Sequence, residues 1–375
     1  MTLETPSLAR PSATSAAGNR PDWSFTYEPH PIRTIAAPGT AKTLDAELGR
    51  LGIARAMVLT TPTGANRYAA IIGAVTGREI VPYSEAAAHS PERVSLDALA
   101  TFLRTGCDGL VSIGGGSTTG LGKFIAASTG KSLVAIPTTL SGSDMTPIYG
   151  WKADGEKHTR IDPRAMPRTI LYDPELHVGL PAGTTVRSAM NCLAHLVEAL
   201  YPAQPNRIAA ALAAEGMRAL VAALPAAIRE PMAIAPRAQL CYAAFLGGHL
   251  VSVAGIGLHH KLCHLIGGMT DISHGDNNSV VLPHVVALNA PCMGEEAAVL
   301  TELFGPSPGS GLQSWAAALD APVALGPLGL EEDMMQTLVD RVMAQPPANP
   351  APLDRDVLGR LLEGIRTGIL RVWPQ

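Results

Sequence analysis

What most constrains this chain is a change of texture at about Pro181. Before it, "ARAMVLTTP" (Ala54–Pro62), "REIVPYSE" (Arg78–Glu85), "CDGLVSIGGGS" (Cys107–Ser117), "KSLVAIPTT" (Lys131–Thr139) and "RTILYDP" (Arg168–Pro174) are short apolar or β-branched runs that end in turn residues. Helix-length segments separate them, and strand, loop, helix, strand at this spacing is the mark of a parallel sheet covered by helices. After Pro181 no such run recurs. "RSAMNCLAHLVEALY" and "AAALAAEGMRALVAALPAAI" place apolar residues three and four apart, the spacing of buried helices. The expected architecture is an α/β domain over residues 23–180 followed by an all-helical domain over 181–375. The cleft between them is the default site. The Pro-rich "QPPANPAPLDRD" reads as a loop before a last helix.

Composition narrows the functional classes. A chain of 375 residues is long for one domain, and with 47% hydrophobic and 16% charged residues it can bury a large core. A net charge of −4 lacks the concentrated Lys and Arg that nucleic acid requires. No apolar run reaches the ~20 residues needed to span a bilayer. The five cysteines (Cys107, Cys192, Cys241, Cys263, Cys292) are scattered and never spaced as CxxC. That pattern suits reduced thiols in a cytoplasm, not a disulfide framework. Residues 1–22 are rich in Ser, Ala, Thr and Pro and lack the apolar stretch of a signal peptide, so a disordered leader is expected.

The first chemical motif is "GLVSIGGGSTTGLGKFIA". A strand at Leu110–Ile113 runs into Gly114, Gly115, Gly116 and Ser117, and a helix follows. Glycines there let backbone N–H groups approach a phosphate, and the helix N-terminus adds partial positive charge. It is not a Walker loop, because Phe124 stands after Lys123 where Ser or Thr is needed. The next strand ends in "IPTTLSGSDMTP", offering the hydroxyls of Thr138, Thr139, Ser141 and Ser143 beside the same sheet edge. Two adjacent polar strand ends favour a dinucleotide crevice over a merely tight turn. The run "VLTTP" ends in Thr60, Thr61 and Pro62 with no acid to reject a 2′-phosphate, so either NADH or NADPH is admissible.

The segments "GGGSTTGLGK", "IPTTLSGSDMTPIYG", "ILYDPEL", "MNCLAHLVEALYP", "LHHKLCHLIGG" and "VVLPHVVALNAP" occur in this order. Together they resemble the iron-containing alcohol dehydrogenase superfamily, and within it the maleylacetate reductase branch, over about residues 23–375. The resemblance implies an α/β dinucleotide-binding domain with an all-helical catalytic domain, as in the dehydroquinate synthase-like folds. It also implies a nicotinamide cofactor in the cleft, a homodimer, and reduction of the carbon–carbon double bond of maleylacetate to give 3-oxoadipate.

Metal-binding members of that superfamily use an Asp and a His four apart, plus two later His. Carried over residue by residue, those positions are Asn191, His195, His260 and His274. An amide is a neutral and weaker ligand than a carboxylate, so the resemblance to a metal-independent group implies that metal is absent. Three imidazoles can nevertheless hold Zn²⁺. Where the reductase pattern is close to "PHAETHTVVLPH", this chain reads "SHGDNNSVVLPH". Asn278 replaces a second His, Asn277 a Thr, and Asp144 a Glu of the "GSE" pattern. Those changes bear on the substrate, not the fold.

Gly257–His284 holds five of the 11 histidines. His260 and His264 are one helical turn apart, and with His195 and His274 they are the expected catalytic groups. His249 and His284 read as structural, and His259 as open to either role. Hydride addition to an enone builds charge on the carbonyl oxygen and then needs a proton at the α-carbon, and clustered imidazoles supply both donors. The substrate expected is a small carboxylic acid. Lys157, Arg160, Arg187 and Lys261 are the candidate cations for it, undistinguished by sequence. Cys263, beside His264, is the thiol expected nearest the site. A metal-dependent alcohol dehydrogenase, a recruited lyase or cyclase, and a cofactor-binding protein without catalysis remain alternatives.

Overall fold

The computed structural model describes residues 25–88, 90–153 and 156–373. The expected leader at 1–22 lies outside them. Six strands form one parallel sheet: β1 (Arg33–Ala36), β2 (Arg55–Leu59), β3 (Glu79–Tyr83), β4 (Gly109–Gly114), β5 (Ser132–Pro137) and, after a hairpin, β8 (Thr169–Tyr172), in the order β1-β8-β5-β4-β2-β3. Helices α1 (Leu44–Arg50), α2 (Pro62–Arg67), α3 (Ala69–Gly73), α4 (Glu92–Arg104) and α5 (Gly116–Thr129) cover it. Successive residues of each central strand serve opposite faces. Val58, Val111, Val134 and Leu171 pack on one side with Leu44 and Leu48, and Met57, Leu110 and Leu133 on the other with Leu121 and Ile125.

The strand order locates the crevice. From β2 the chain moves outward to β3, then returns to place β4 on the opposite side of β2 and continues away through β5. The connections therefore diverge where β2 and β4 end, at Thr60–Pro62 and Gly114–Ser117, and an open α/β sheet leaves room for a ligand there.

Two elements went unread in the sequence. β1 has four residues at the sheet edge and pairs with β8, too short a run to stand out from its surroundings. The hairpin β6 (Ile148–Ala153) and β7 (Glu156–Ile161) forms a separate antiparallel pair. Its "ADGE" centre is a turn signal, and Tyr149 and Trp151, two apart on β6, pack against Phe124 of α5.

From Ala182 onward every regular element among the described residues is helical: α6 (Ala182–Glu198), α7 (Arg207–Arg229), α8 (Ile234–Ala254), α9 (Leu258–Met269), α10 (His274–Asn289), α11 (Ala298–Phe304), α12 (Pro308–Ala317), α13 (Met334–Ala344) and α14 (Arg355–Thr367), with short 3-10 turns between some of them. The α7 helix is long and apolar enough to cross a membrane by length and composition, although Glu215 and Arg218 interrupt its apolar run. Its Ala209, Ala213, Met217, Leu220 and Leu224 are buried at four- and three-residue spacing in one core with Leu240, Ala244 and Leu196 of α8 and α6. A second core joins Leu262 and Ile266 of α9 to Val281 and Val285 of α10 and Leu358, Leu361 and Ile365 of α14. Each buried Leu or Ile contributes roughly 1.5–3 kcal/mol, and together these cores fix α6, α9 and α10, the three helices that carry the histidines.

Candidate active site

The glycine turn is a cradle of main chain. Gly114 ends β4, its carbonyl accepting the Thr138 N–H at 2.9 Å. Gly115 is the N-cap of α5, and no side chain caps that helix. A Cβ on Gly115 would lie 3.2 Å from Thr139, and one on Gly116 would lie 3.5 Å from Ser141 and 3.7 Å from Ser143. A 14-residue helix thus points its first N–H groups, starting near Ser117, into space flanked by hydroxyls. That geometry fits a pyrophosphate. Thr60 is buried and directs its hydroxyl at Ser84 (3.2 Å), while Thr61 caps α2 and Pro62 occupies its first turn. This rim offers main chain and hydroxyls.

The segment after β5 joins this cradle to the helices. Gly142, in left-handed geometry (φ 69°), packs directly on Gly248 of α8, and a Cβ there would sit 2.9 Å from the Gly248 Cα and 3.2 Å from His195 Nδ1. The turn is pinned from below by Lys123, which is fully buried and donates to Ser143 O (2.7 Å) and Thr146 Oγ1 (3.1 Å). Burial pushes that ammonium down to about 7, with Asp144 opposing. Asp144 in turn accepts from Tyr172 of β8. The sequence presented Lys123 only as a failed Walker lysine; its role as an anchor depends on tertiary contact.

The structure brings His195, His260, His264 and His274 together. The His195 and His260 rings stack at 4.6 Å, His260 and His264 meet edge-on at 6.2 Å, and His264 stacks on His274 at 6.1 Å. Asn191, one turn before His195, donates through Nδ2 to Ser141 O at 3.1 Å. Asn191 Oδ1, His195 Nδ1 and His260 Nε2 are buried and have no hydrogen-bond partner. Burial and the neighbouring imidazoles push His195 and His260 well below the ordinary histidine range, so both are neutral near pH 7.

One functional residue was missed. Glu198 is buried at the end of α6 and accepts from His260 Nδ1 at 2.6 Å and from the His260 backbone N–H at 3.3 Å. Burial raises its carboxyl despite the opposing His259 and backbone donors. With Glu198 ionised, His260 carries its proton on Nδ1 and leaves Nε2 as an acceptor. The signal was present: Asn191, His195 and Glu198 stand at i, i+4 and i+7 on one helix face.

Several expectations need correction. Cys263 contacts His259 Nε2 (3.5 Å), not His264, and burial pushes its thiol well up, so it is an inert core group. His259 turns its Nε2 toward Asn278 O (3.3 Å) and is held to about 3 by burial and by His260. Ligand atoms of Glu198, His259 and His260 lie within 4.8 Å of one another, close enough to suggest a metal group. The short His260–Glu198 hydrogen bond already accounts for that proximity. Lys261 donates to Gln345 O, and Arg160 lies over the Trp151 ring of the hairpin at 5.2 Å. The Lys157 side chain lies outside the described residues. Asn278 turns back on its own helix, donating to His274 O at 2.6 Å, while both amide atoms of the buried Asn277 lack a partner. His249 bonds Tyr27 at 2.5 Å, and His284 faces Gly364 of α14.

For a metal, the test is the donor set. Asn191, His195, His260 and His274 offer one amide oxygen and three imidazoles, and three of the atoms that could ligate are buried and unpartnered. The set fits a divalent cation in kind but brings no negative charge, since it is one amide and three imidazoles and Glu198 Oε2 accepts from His260 Nδ1.

Comparison with known proteins gives the class. Residues 31–174 match the family model "Iron-containing alcohol dehydrogenase", and residues 185–365 match "Fe-containing alcohol dehydrogenase family, C-terminal". The chain belongs to the iron-containing alcohol dehydrogenase family, and it is an oxidoreductase. Within that family it is similar to maleylacetate reductases. It is 37% identical to that of Rhizobium sp. (strain MTP-10005), covering 90% of this chain and 97% of the relative. It is 38% identical to that of Burkholderia cepacia, covering 92% and 99%. The solved maleylacetate reductase from Agrobacterium tumefaciens superposes with a TM-score of 0.88 at 38% identity, covering 92% of this chain and 99% of that one.

Proposed function

We propose that this enzyme reduces the carbon–carbon double bond of maleylacetate, or of a close 4-oxo-2-enoic acid, using NADH or NADPH and without a tightly held metal. The observation that carries the reading is the stacked chain of His195, His260, His264 and His274, joined to the glycine cradle through the Ser141–Gly142 turn.

The nicotinamide cofactor supplies a hydride to the β-carbon. The residues supply everything else. Gly115, Gly116 and Ser117, with the hydroxyls of Thr138, Thr139 and Ser143, would hold the pyrophosphate at the start of α5. N–H groups of His195, His264 or His274 aimed at the carbonyl oxygen would stabilise the enolate as it forms. A proton from solvent, relayed by an imidazole that takes up one proton as it gives up another, then reaches the α-carbon and gives the saturated oxo acid. Glu198 fixes the His260 ring so that no orientation has to be found during reaction.

The metal-free reading rests on charge. A cation held by Asn191 and neutral imidazoles keeps its full charge in a buried place, which is costly without a carboxylate. A second reading, a metal-dependent reductase, is favoured by the unpartnered atoms of Asn191, His195 and His260.

Purified enzyme with NADH or NADPH and maleylacetate should consume one cofactor per molecule of 3-oxoadipate detected by mass spectrometry. It should do so at undiminished rate after chelator treatment. Absence of that product with either cofactor overturns the reaction, and loss of rate that zinc or iron restores moves the mechanism to the second reading.

A further inference from the structure

We infer that Arg187 is the substrate-carboxylate anchor of this site, a specificity-determining residue that rests on the oxo-acid reading above. Arg187, Asn191 and His195 stand at i, i+4 and i+8 on α6, so they form one stripe. Arg187 comes one turn before Asn191. Its stem lies across Gly275, next to His274 in the first turn of α10: a Cβ at Gly275 would be 2.5 Å from the Arg187 Cβ, 2.9 Å from its Cγ and 3.0 Å from its Cδ. The absence of a side chain at 275 is what lets the arginine stem run along the histidine helix.

The stem is held, and the head turns back over the first turn of α6, where a Cβ at Gly183 would be 3.5 Å from Nη1 and Nη2. Arg187 Nη1 is 3.7 Å from Asp276 Oδ1, an ion pair too long to be a hydrogen bond, and its side chain is about half exposed at 45%. Among the described residues no acceptor lies within hydrogen-bond reach of the guanidinium, and Asp276 meanwhile spends its other oxygen on Ser273. A planar fork with its donors unspent is suited to bind a carboxylate with two parallel hydrogen bonds. The surroundings make that charge necessary. Of the site's other polar side chains, Asn191, Asn277 and Asn278 are amides, which carry no charge to offset an anion. Two of the other cations considered are placed elsewhere, Lys261 committed to Gln345 O and Arg160 to Trp151, and the Lys157 side chain lies outside the described residues.

The test uses the NADH-loaded enzyme, with maleate as a non-reducible dicarboxylate probe for calorimetric titration and maleylacetate for steady-state rates. Arg187→Met should weaken maleate binding by roughly tenfold or more and raise KM for maleylacetate by at least as much. The kcat should stay within about threefold, because the interaction is made equally before and during reaction. Arg187→Lys should recover part of the binding, since charge remains but the fork is lost. NADH affinity should be unchanged in both, which separates a lost anchor from a misfolded site. Equal maleate binding by the wild type and Arg187→Met, or no binding by the wild type, overturns the proposal. If Arg187 governs maleate binding but maleylacetate is not reduced, the carboxylate anchor stands and the reaction assignment falls. If maleylacetate is reduced and its KM does not move in Arg187→Met, the reverse holds.

Discussion

The glycine cradle and the histidine cluster meet at Gly142, yet they are built from different material. The cradle is main chain: Gly115 and Gly116 remove side chains so that the N–H groups at the start of α5 are reachable, and the surrounding hydroxyls belong to interchangeable Ser and Thr. The cluster is side chain, with imidazoles from three helices holding one another within 6.2 Å. A main-chain site is damaged by adding atoms, and a side-chain site by removing them. That asymmetry predicts opposite responses to mutation in the two regions.

The largest effect should follow removal of an imidazole. His274→Ala should reduce turnover by ~10²–10³, the scale of losing one preorganised donor to a developing oxyanion. His260→Ala should also slow turnover, because its ring stacks on His195 and meets His264 edge-on and so holds both in place. Cofactor affinity should stay at the wild-type value. Steady-state rates together with fluorescence titration of NADH measure both quantities. Cofactor binding that weakens in step with turnover would mean that the two regions are not separable in this way.

Next in size is the carboxylate behind the ring. Glu198→Gln keeps the shape but no longer requires the proton to sit on His260 Nδ1. Outer partners that set ring orientation typically matter by ~10–100-fold, so turnover should drop within that range with NADH affinity intact. Nitrogen chemical shifts of labelled histidine should show His260 as the Nδ1–H tautomer in the wild type and a mixture in Glu198→Gln. A wild-type Nε2–H tautomer would contradict the hydrogen bond as drawn.

The cradle should respond to the opposite manipulation. Gly116→Val adds carbon beyond a Cβ that already reaches within 3.5 Å of Ser141. The cofactor dissociation constant should increase roughly tenfold, ~1.4 kcal/mol, while the fold and the histidine stacking persist. An unchanged NADH titration would detach the cofactor from this turn.

The same contrast explains how much could be read in advance. The parallel sheet, the switch to helices after Pro181 and the glycine turn were legible, because local pattern encodes them: β-branched runs, spacing of three and four, and glycine at a strand end. The four clustered histidines were legible through motif resemblance and the i, i+4 spacing on α6 and α9. Glu198 was missed although it shares a helix face with Asn191 and His195, because its partner His260 arrives from 62 residues away. Lys123 was hidden for the same reason: a lysine with no buried carbonyl yet in view reads as solvated. Of the four candidate cations, only tertiary placement could distinguish Arg187, whose neighbour Gly275 is 88 residues distant in sequence (275 − 187). Edge strand β1 carries too little apolar pattern to register, and the alternating Tyr149 and Trp151 of the hairpin are too short a signal to stand alone.

The smallest expected effect on turnover belongs to a histidine outside the cluster. His284 is buried on α10 facing Gly364 of α14, with Nε2 unpartnered, and burial pushes it down to about 4. His284→Ala should leave kcat of the folded enzyme near the wild-type value while lowering stability by about 1–3 kcal/mol near neutral pH, as core truncations do. The pH dependence sharpens the distinction. A histidine whose folded pKa is depressed resists protonation in the native state while the unfolded chain accepts a proton at about 6.5, so stability falls as pH falls. For His284 that loss runs from about pH 6.5 down to about 4, with a slope approaching ~1.4 kcal/mol per pH unit. His177, also held to about 4 by burial, adds a second slope of the same sign. Denaturant titrations between pH 7 and 4.5 should therefore show wild-type stability declining toward acid, and His284→Ala declining less steeply. The variant's deficit would then narrow as pH falls, the reverse of what a general weakening of the fold produces. A parallel decline in the two proteins would show that the His284 imidazole is not held neutral by its burial.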